Sequence, residues 1–120
     1  MTTIELTAKE SIFVTCYLAT VDFTETGDTD QPESGADLDD DFIRESTIDC
    51  LSFYSRICCY LSDDEVERAA HDFWLTRNGH GAGFWDGDWP KYGAMFTRIA
   101  QSYGEAYAVF DELHSNTDEG

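Results

Sequence analysis

Ile43, Thr47, Cys50, Leu51, Tyr54, Ile57, Cys58 and Leu61 recur at intervals of three and four residues. That is the period of an α-helix, and it gathers these side chains onto one apolar face. Asp39, Asp40 and Asp41 stand just ahead of the run, where carboxylates meet the unpaired N–H groups and the positive end of the helix dipole. Pattern and start signal together predict a helix over 40–61. No other segment constrains the fold as tightly.

Three further helices follow from similar signals. Thr7-Ala-Lys-Glu10 has the form of a capping box, and positions 13, 16, 17, 20 and 21 then follow at helical spacing, predicting a helix over 8–22. Ile12, Val14, Thr15, Thr20 and Val21 are β-branched, so a strand stays open there. Ser62-Asp-Asp-Glu65 is a second capping box, with Val66, Ala69, Ala70, Phe73 and Arg77 on one face and Asn78-Gly79 as a left-handed stop, which predicts 63–77. Asp88 and Pro90 suit a cap and a first turn, and Tyr92, Met95, Phe96, Ile99 and Tyr103 extend this to a helix over 90–103 that Gly104 ends. Residues 105–110 read as a short strand, which needs a partner in the loop after Gly79 or in another subunit. The expected architecture is mainly α with a minor β element, in one domain over 1–120. Residues 24–37, rich in Thr, Gly, Asp, Pro and Glu, read as an acidic loop, and 115–120 as a frayed tail.

On this scaffold sit 25 acidic residues against 7 basic ones, a formal charge of −18. Chains that stay disordered combine high charge with few aromatics, whereas 8 Phe, 6 Tyr and 3 Trp run through this sequence. The charge is therefore carried by a folded body. Duplex DNA has one charge per about 1.7 Å of axis, so eighteen charges match roughly 30 Å of duplex. Such a surface repels nucleic acid and anionic membranes, and attracts proteins that bind them. Fifteen of the 25 acids fall between Asp22 and Glu67, against three bases, Arg44, Arg56 and Arg68, in and beside that stretch. Carboxylates one helical turn apart lie about 6 Å from each other, close to the spacing of phosphates along a DNA strand. Asp28, Asp30, Glu33, Asp37, Asp39, Asp40, Asp41, Asp63, Asp64, Glu65 and Glu67 are the candidate partner-binding residues.

Cys16, Cys50, Cys58 and Cys59 each lie in an apolar run with no CxxC pair, so reduced core thiols are expected rather than a zinc site. The N-terminus has no basic region followed by an apolar one, and export is not indicated. Asp37-Leu-Asp-Asp-Asp41 lacks the D-x-D-x-D-G calcium pattern, and neither HExxH nor GxGxxG is present, so no cofactor is expected.

The most distinctive run is HDFWLTRNGHGAGFWD at 71–86. It closely resembles a segment of a family of small acidic proteins of tailed bacteriophages and prophages. Ile99-Ala-Gln-Ser-Tyr-Gly-Glu105 is similar to that family's next helix and turn, while Gly87-Asp-Trp-Pro90 and the ending Phe-Asp-Glu-Leu-His114 depart from it. The resemblance implies a phage gene product acting in the host cytoplasm. Genes of that kind often encode inhibitors of host defence or of host enzymes, among them anti-CRISPR and anti-restriction proteins.

Within 71–86, Arg77, Asn78, Gly79, His80, Gly81, Gly83, Trp85 and Asp86 read as a tight structural loop, with Arg77 and Asp86 a candidate internal ion pair. A recognition loop with tryptophan anchors is the second reading. The third is a small metal-dependent enzyme centred on His71, His80 and Asp86, although these have no recognised ligand spacing. Acidity and resemblance together favour a DNA-mimicking inhibitor that blocks a host nuclease, CRISPR effector, restriction enzyme or polymerase and is not itself an enzyme. A structural phage protein, homodimeric through 105–110, is the remaining alternative.

Overall fold

A computed structural model describes residues 5–26, 38–79, 83–84 and 89–109. Within them lie four α-helices: α1 (Ala8–Thr26), α2 (Asp40–Ile57), α3 (Val66–Arg77) and α4 (Gly93–Gln101). The chain is mainly helical, as the apolar periodicity predicts. No described helix is long and apolar enough to cross a membrane.

Local chemistry fixes each boundary. At the start of α1 the Thr7 N–H donates to Glu10 Oε1 at 2.9 Å, and the Glu10 N–H donates back to Thr7 Oγ1 at 3.1 Å. Both halves of the capping box are thus made. The β-branched residues do not divert the segment into a strand, and the Thr20 hydroxyl bonds the Cys16 carbonyl at 2.8 Å within the helix. α1 runs a turn past the expected residue 22, where the Trp74 indole N–H reaches Thr24 Oγ1 at 2.8 Å.

Asp39 caps α2 by accepting the N–H groups of Asp41 and Phe42 at 3.0 and 3.2 Å. The buried stripe of α2 is Phe42, Ser46, Cys50, Phe53 and Ile57, rotated from the expected face, with Ile43, Leu51 and Tyr54 on its partly buried flanks and Leu61 partly buried beyond its end. Neighbours on another helix cause the rotation: Phe42 meets Trp74 edge-on, and Phe53 stacks on Phe73 with centroids 4.1 Å apart. α2 ends at Ile57 rather than 61 and tightens into a 3-10 turn over Cys58–Tyr60, which satisfies a terminal carbonyl at shorter range. Another 3-10 turn, Asp63–Glu65, carries the expected capping box, with the Ser62 N–H on Glu65 Oε1 at 2.9 Å, and leads into α3.

α3 is the central element. It is buried almost continuously from Ala69 to Arg77 and packs beside α1 and α4. Gly79, at φ 72°, supplies the left-handed stop after it. The Gly93 N–H already donates to the Trp89 carbonyl at 2.9 Å, so Pro90 lies in the turn that opens α4. Around Phe73 and Trp74 of α3 close Phe13, Tyr17, Phe53, Phe84, Trp89 and Phe96, all buried.

Two expectations need correction. Among the described residues there is no strand, and 104–109 is instead an extended strap. Its described anchors are isolated bonds rather than a ladder: the Ala106 N–H goes to Asn78 Oδ1 at 2.8 Å, and the Val109 carbonyl accepts the Asp39 N–H at 2.7 Å. The cysteines are free, but only Cys50 is fully buried, Cys16 is half-buried, and Cys58 and Cys59 are exposed in the 3-10 turn that ends α2.

Candidate protein-binding surface

The fold divides the acidic candidates into two groups. Asp39, Asp40 and Asp41 lie at the start of α2, whereas Asp63, Asp64, Glu65 and Glu67 lie past its far end, at the entry to α3. The eighteen residues of α2 separate them by about 27 Å, at about 1.5 Å per residue. Asp28, Asp30, Glu33 and Asp37 lie outside the described residues.

Several of these carboxylates are engaged by the fold. Asp39 is the α2 cap, and Glu65 closes the capping box before α3. Asp64 accepts the Ser62 hydroxyl at 2.6 Å, and that bond lowers its pKa. Asp63 pairs with Lys9, whose ammonium pKa is raised by the contact. Asp40 and Glu67 are exposed on the surface.

Near the first group the chain builds a groove of about 440 Å³, bounded by α2 on one side and the 104–109 strap on the other. Asp41, Glu45 and Asp49 line it at successive turns of α2, and Glu105 faces them from the strap. Glu45, Asp49 and Glu105 were not among the sequence candidates. The four-residue spacing 41, 45, 49 signals the first two, but the position of Glu105 depends on where the strap runs. Apolar side chains share the groove: Phe42 in its floor, and Tyr107 and Val109 at its edge, 74% and 49% exposed.

Arg77 is the one cation among the described residues that line the groove, and it belongs to the wall. Its guanidinium pairs with Asp49 Oδ2 at 3.0 Å, Nε donates to the Gly104 carbonyl at 2.8 Å, Nη2 to the Tyr103 carbonyl at 3.2 Å and Nη1 to the Tyr17 hydroxyl at 3.1 Å. It also lies over the Phe73 ring, 5.2 Å from the centroid. Burial raises the Tyr17 pKa despite the opposing pull of Arg77, so its hydroxyl stays protonated and accepts this bond. Arg77 therefore ties α3, α1, α2 and the start of the strap to one point. Asp86, the ion-pair partner that the sequence suggests for Arg77, lies outside the described residues, as do His80, Gly81 and Trp85.

No family model, curated protein or solved structure matches this chain.

The other described residues of the 71–86 run act as struts. Asn78 Nδ2 bonds the Trp74 carbonyl at 3.0 Å while its Oδ1 holds Ala106. Thr76 Oγ1 accepts the Phe84 N–H at 3.0 Å, and Gly83 precedes that residue at φ 152°. Asp72, buried, accepts the Trp89 indole N–H at 2.7 Å, and the exposed His71 ring lies 3.2 Å from its other oxygen. His71 thus has Asp72 beside it. Among the described residues no three His, Cys, Asp or Glu side chains converge as metal ligands.

Proposed function

We propose that this chain is an acidic inhibitor that binds the nucleic-acid-binding site of a host protein, presenting carboxylates where phosphates would lie. The observation that carries this reading is the column Asp41, Glu45, Asp49 along one face of α2 with Glu105 opposite, on a chain of formal charge −18. A cationic groove built for a phosphate backbone meets a comparable row of negative charge there. The second acidic group, past the far end of α2, is a separate patch on the α1 side, where Asp63 pairs with Lys9. Tyr107 and Val109 at the rim add apolar contact, and exposed aromatics of this kind serve as anchors in protein interfaces.

The mechanism is competition. Long-range attraction speeds encounter with the basic site, and occupancy of that site excludes DNA or RNA. The resemblance of 71–86 to small acidic phage proteins supports a target in the host cytoplasm: a restriction enzyme, CRISPR effector, other nuclease or polymerase.

The test is displacement of a labelled duplex from a panel of such enzymes, read by fluorescence anisotropy across a salt gradient. The wild-type chain is expected to release the duplex from one of them, with an effect that fades steeply as salt rises. A D40K/D41K/E45K variant is expected to lose the effect while keeping its helical circular dichroism. Displacement by that variant equal to wild type would rule out this face, and no displacement from any enzyme would refute the inhibitor reading.

A further inference from the structure

α1 has two apolar sides. Phe13, Val14, Tyr17 and Val21 are buried against the core. On the opposite side Ala8, Ile12, Thr15, Ala19 and Phe23 follow at intervals of four, three, four and four, which keeps them on one line of the helix. All five are exposed, Ile12 at 42% and Phe23 at 47%. From Ala8 to Phe23 the line is about 22 Å long, at about 1.5 Å per residue. Between Ala8 and Ala19 it forms an open depression of about 560 Å³ with Glu67 at one edge. A helix that is apolar on both sides normally has neighbours on both, and α1 packs only against α3 and α2 among the described elements.

Charge identifies what fits there. Residues 11–21, SIFVTCYLATV, contain no acidic or basic side chain, in a chain with 25 acids. A cationic partner is drawn instead to the carboxylates of α2. Two copies of this chain repel one another over most of their surface, so they can approach where charge is sparse, and the outer side of α1, with Glu67 the one charged residue lining its depression, is such a place.

We infer that the outer stripe of α1 is a self-association face, through which two copies form a weak two-fold dimer with their α1 helices antiparallel. A two-fold axis passing between positions 15 and 16 sets Ile12 of one copy over Ala19 of the other, and Phe23 over Ala8. Large side chains then fill the space above small ones, as close packing requires. In a parallel pair like faces like, and Ala19 opposite Ala19 leaves a gap. The contact is isologous, so it closes at two copies. A stripe about 22 Å long and about 10 Å wide is much smaller than the roughly 800 Å² per partner of a permanent interface. Association is therefore concentration-dependent.

Sedimentation equilibrium of the full chain, from micromolar to millimolar concentration in low and high sodium chloride, tests this. The mass is expected to rise from 13.6 kDa towards twice that value. Added salt should strengthen the dimer by screening the repulsion between copies. Ala19→Glu, with helicity and melting checked by circular dichroism, and the milder Ile12→Ser should each leave a monomer, while Ile48→Glu, at an exposed site on α2, should still dimerise. A19I alone should weaken the dimer and I12A/A19I, which exchanges large for small, should restore it. A monomer under all conditions, a dimer that survives both A19E and I12S, or a dimer strengthened by A19I would overturn the inference.

Discussion

Replacing Arg77 by Met keeps the length and apolar stem of the side chain and removes its five donors. The structure sets the cost. Arg77 is 6% exposed and bonds the Asp49 carboxylate, two strap-side carbonyls and the Tyr17 hydroxyl. Breaking a buried pair from one side costs about 3–5 kcal/mol. Asp49 is about a third exposed, so water takes up part of its lost pairing and moderates the sum. The Gly104 and Tyr103 carbonyls, part-buried, lose their donors outright, at about 1–3 kcal/mol each in a fully buried setting. A net loss of about 3–4 kcal/mol is expected, a large share of the roughly 5–15 kcal/mol that holds a domain of this kind folded. Urea unfolding followed by the fluorescence of Trp74, buried against Tyr17, measures it. Asp49→Asn alone should cost only about 1 kcal/mol, because Arg77 keeps its three other bonds. R77M/D49N should then fall short of the sum of the two single losses by about 1 kcal/mol. A loss below about 1 kcal/mol for R77M would refute the idea that this residue joins the strap to the helices.

Gly93→Ala should lower the melting temperature by several degrees in differential scanning calorimetry, because the new methyl would lie 2.5 Å from the Phe84 carbonyl oxygen, a backbone atom with little freedom to yield. Asp39→Ala should cost about 0.5–2 kcal/mol as a lost cap, whereas Asp40→Ala, exposed beside it, should change urea stability by far less; equal losses would contradict the capping geometry. For the thiols, burial raises the pKa of Cys16 and, more strongly, of Cys50 above 9.0. The folded state therefore holds these protons more tightly than the unfolded chain, so their contribution to stability is complete below about pH 9 and is lost as pH rises through the folded values. Cysteine labelling at pH 8 should accordingly modify Cys58 and Cys59 rapidly and Cys50 only on unfolding, which mass spectrometry of timed samples would show.

The helices were legible because their signals are local. Both capping boxes are written in four-residue segments, Thr7 to Glu10 and Ser62 to Glu65, and each closes with the bonds its pattern requires. The rotation of the α2 stripe was not legible, since Phe42 and Phe53 become central through Trp74 and Phe73 on another helix. The same holds for 104–109. Its alternation resembles a strand, but Asn78 and Asp39 take up described backbone groups that a neighbouring strand would otherwise pair. Asp49 was visible as one acid among many, and only the fold reveals that it opposes a buried arginine, one that also holds the Tyr17 hydroxyl from sixty residues away in the chain. The outer stripe of α1 was hidden by its own symmetry: with apolar residues on opposite sides, one helix offers no single face for a pattern to select.

The carboxylates of the groove differ in how much of their charge is available to a partner. Asp41 shares Arg44 at 2.8 Å, and Asp49 shares Arg77 at 3.0 Å. Glu45 stands between them on the same face with no described ion pair, so of the three acids on α2 its field is the least compensated. Neutralising it should therefore remove more binding than its single charge suggests, without the loss of stability that follows at Asp49. A decalysine peptide provides a cationic probe, with affinity measured over a series of salt concentrations. Glu45→Gln should weaken binding and make the salt slope shallower by about one ion, at unchanged urea stability; Asp49→Asn should weaken binding less and also lower stability. Glu5→Gln, exposed ahead of α1, is the control for bulk charge. If it reduces affinity and slope as much as Glu45→Gln does, the peptide reads the net charge of −18 and not the groove, and the column on α2 has no special claim as the binding face.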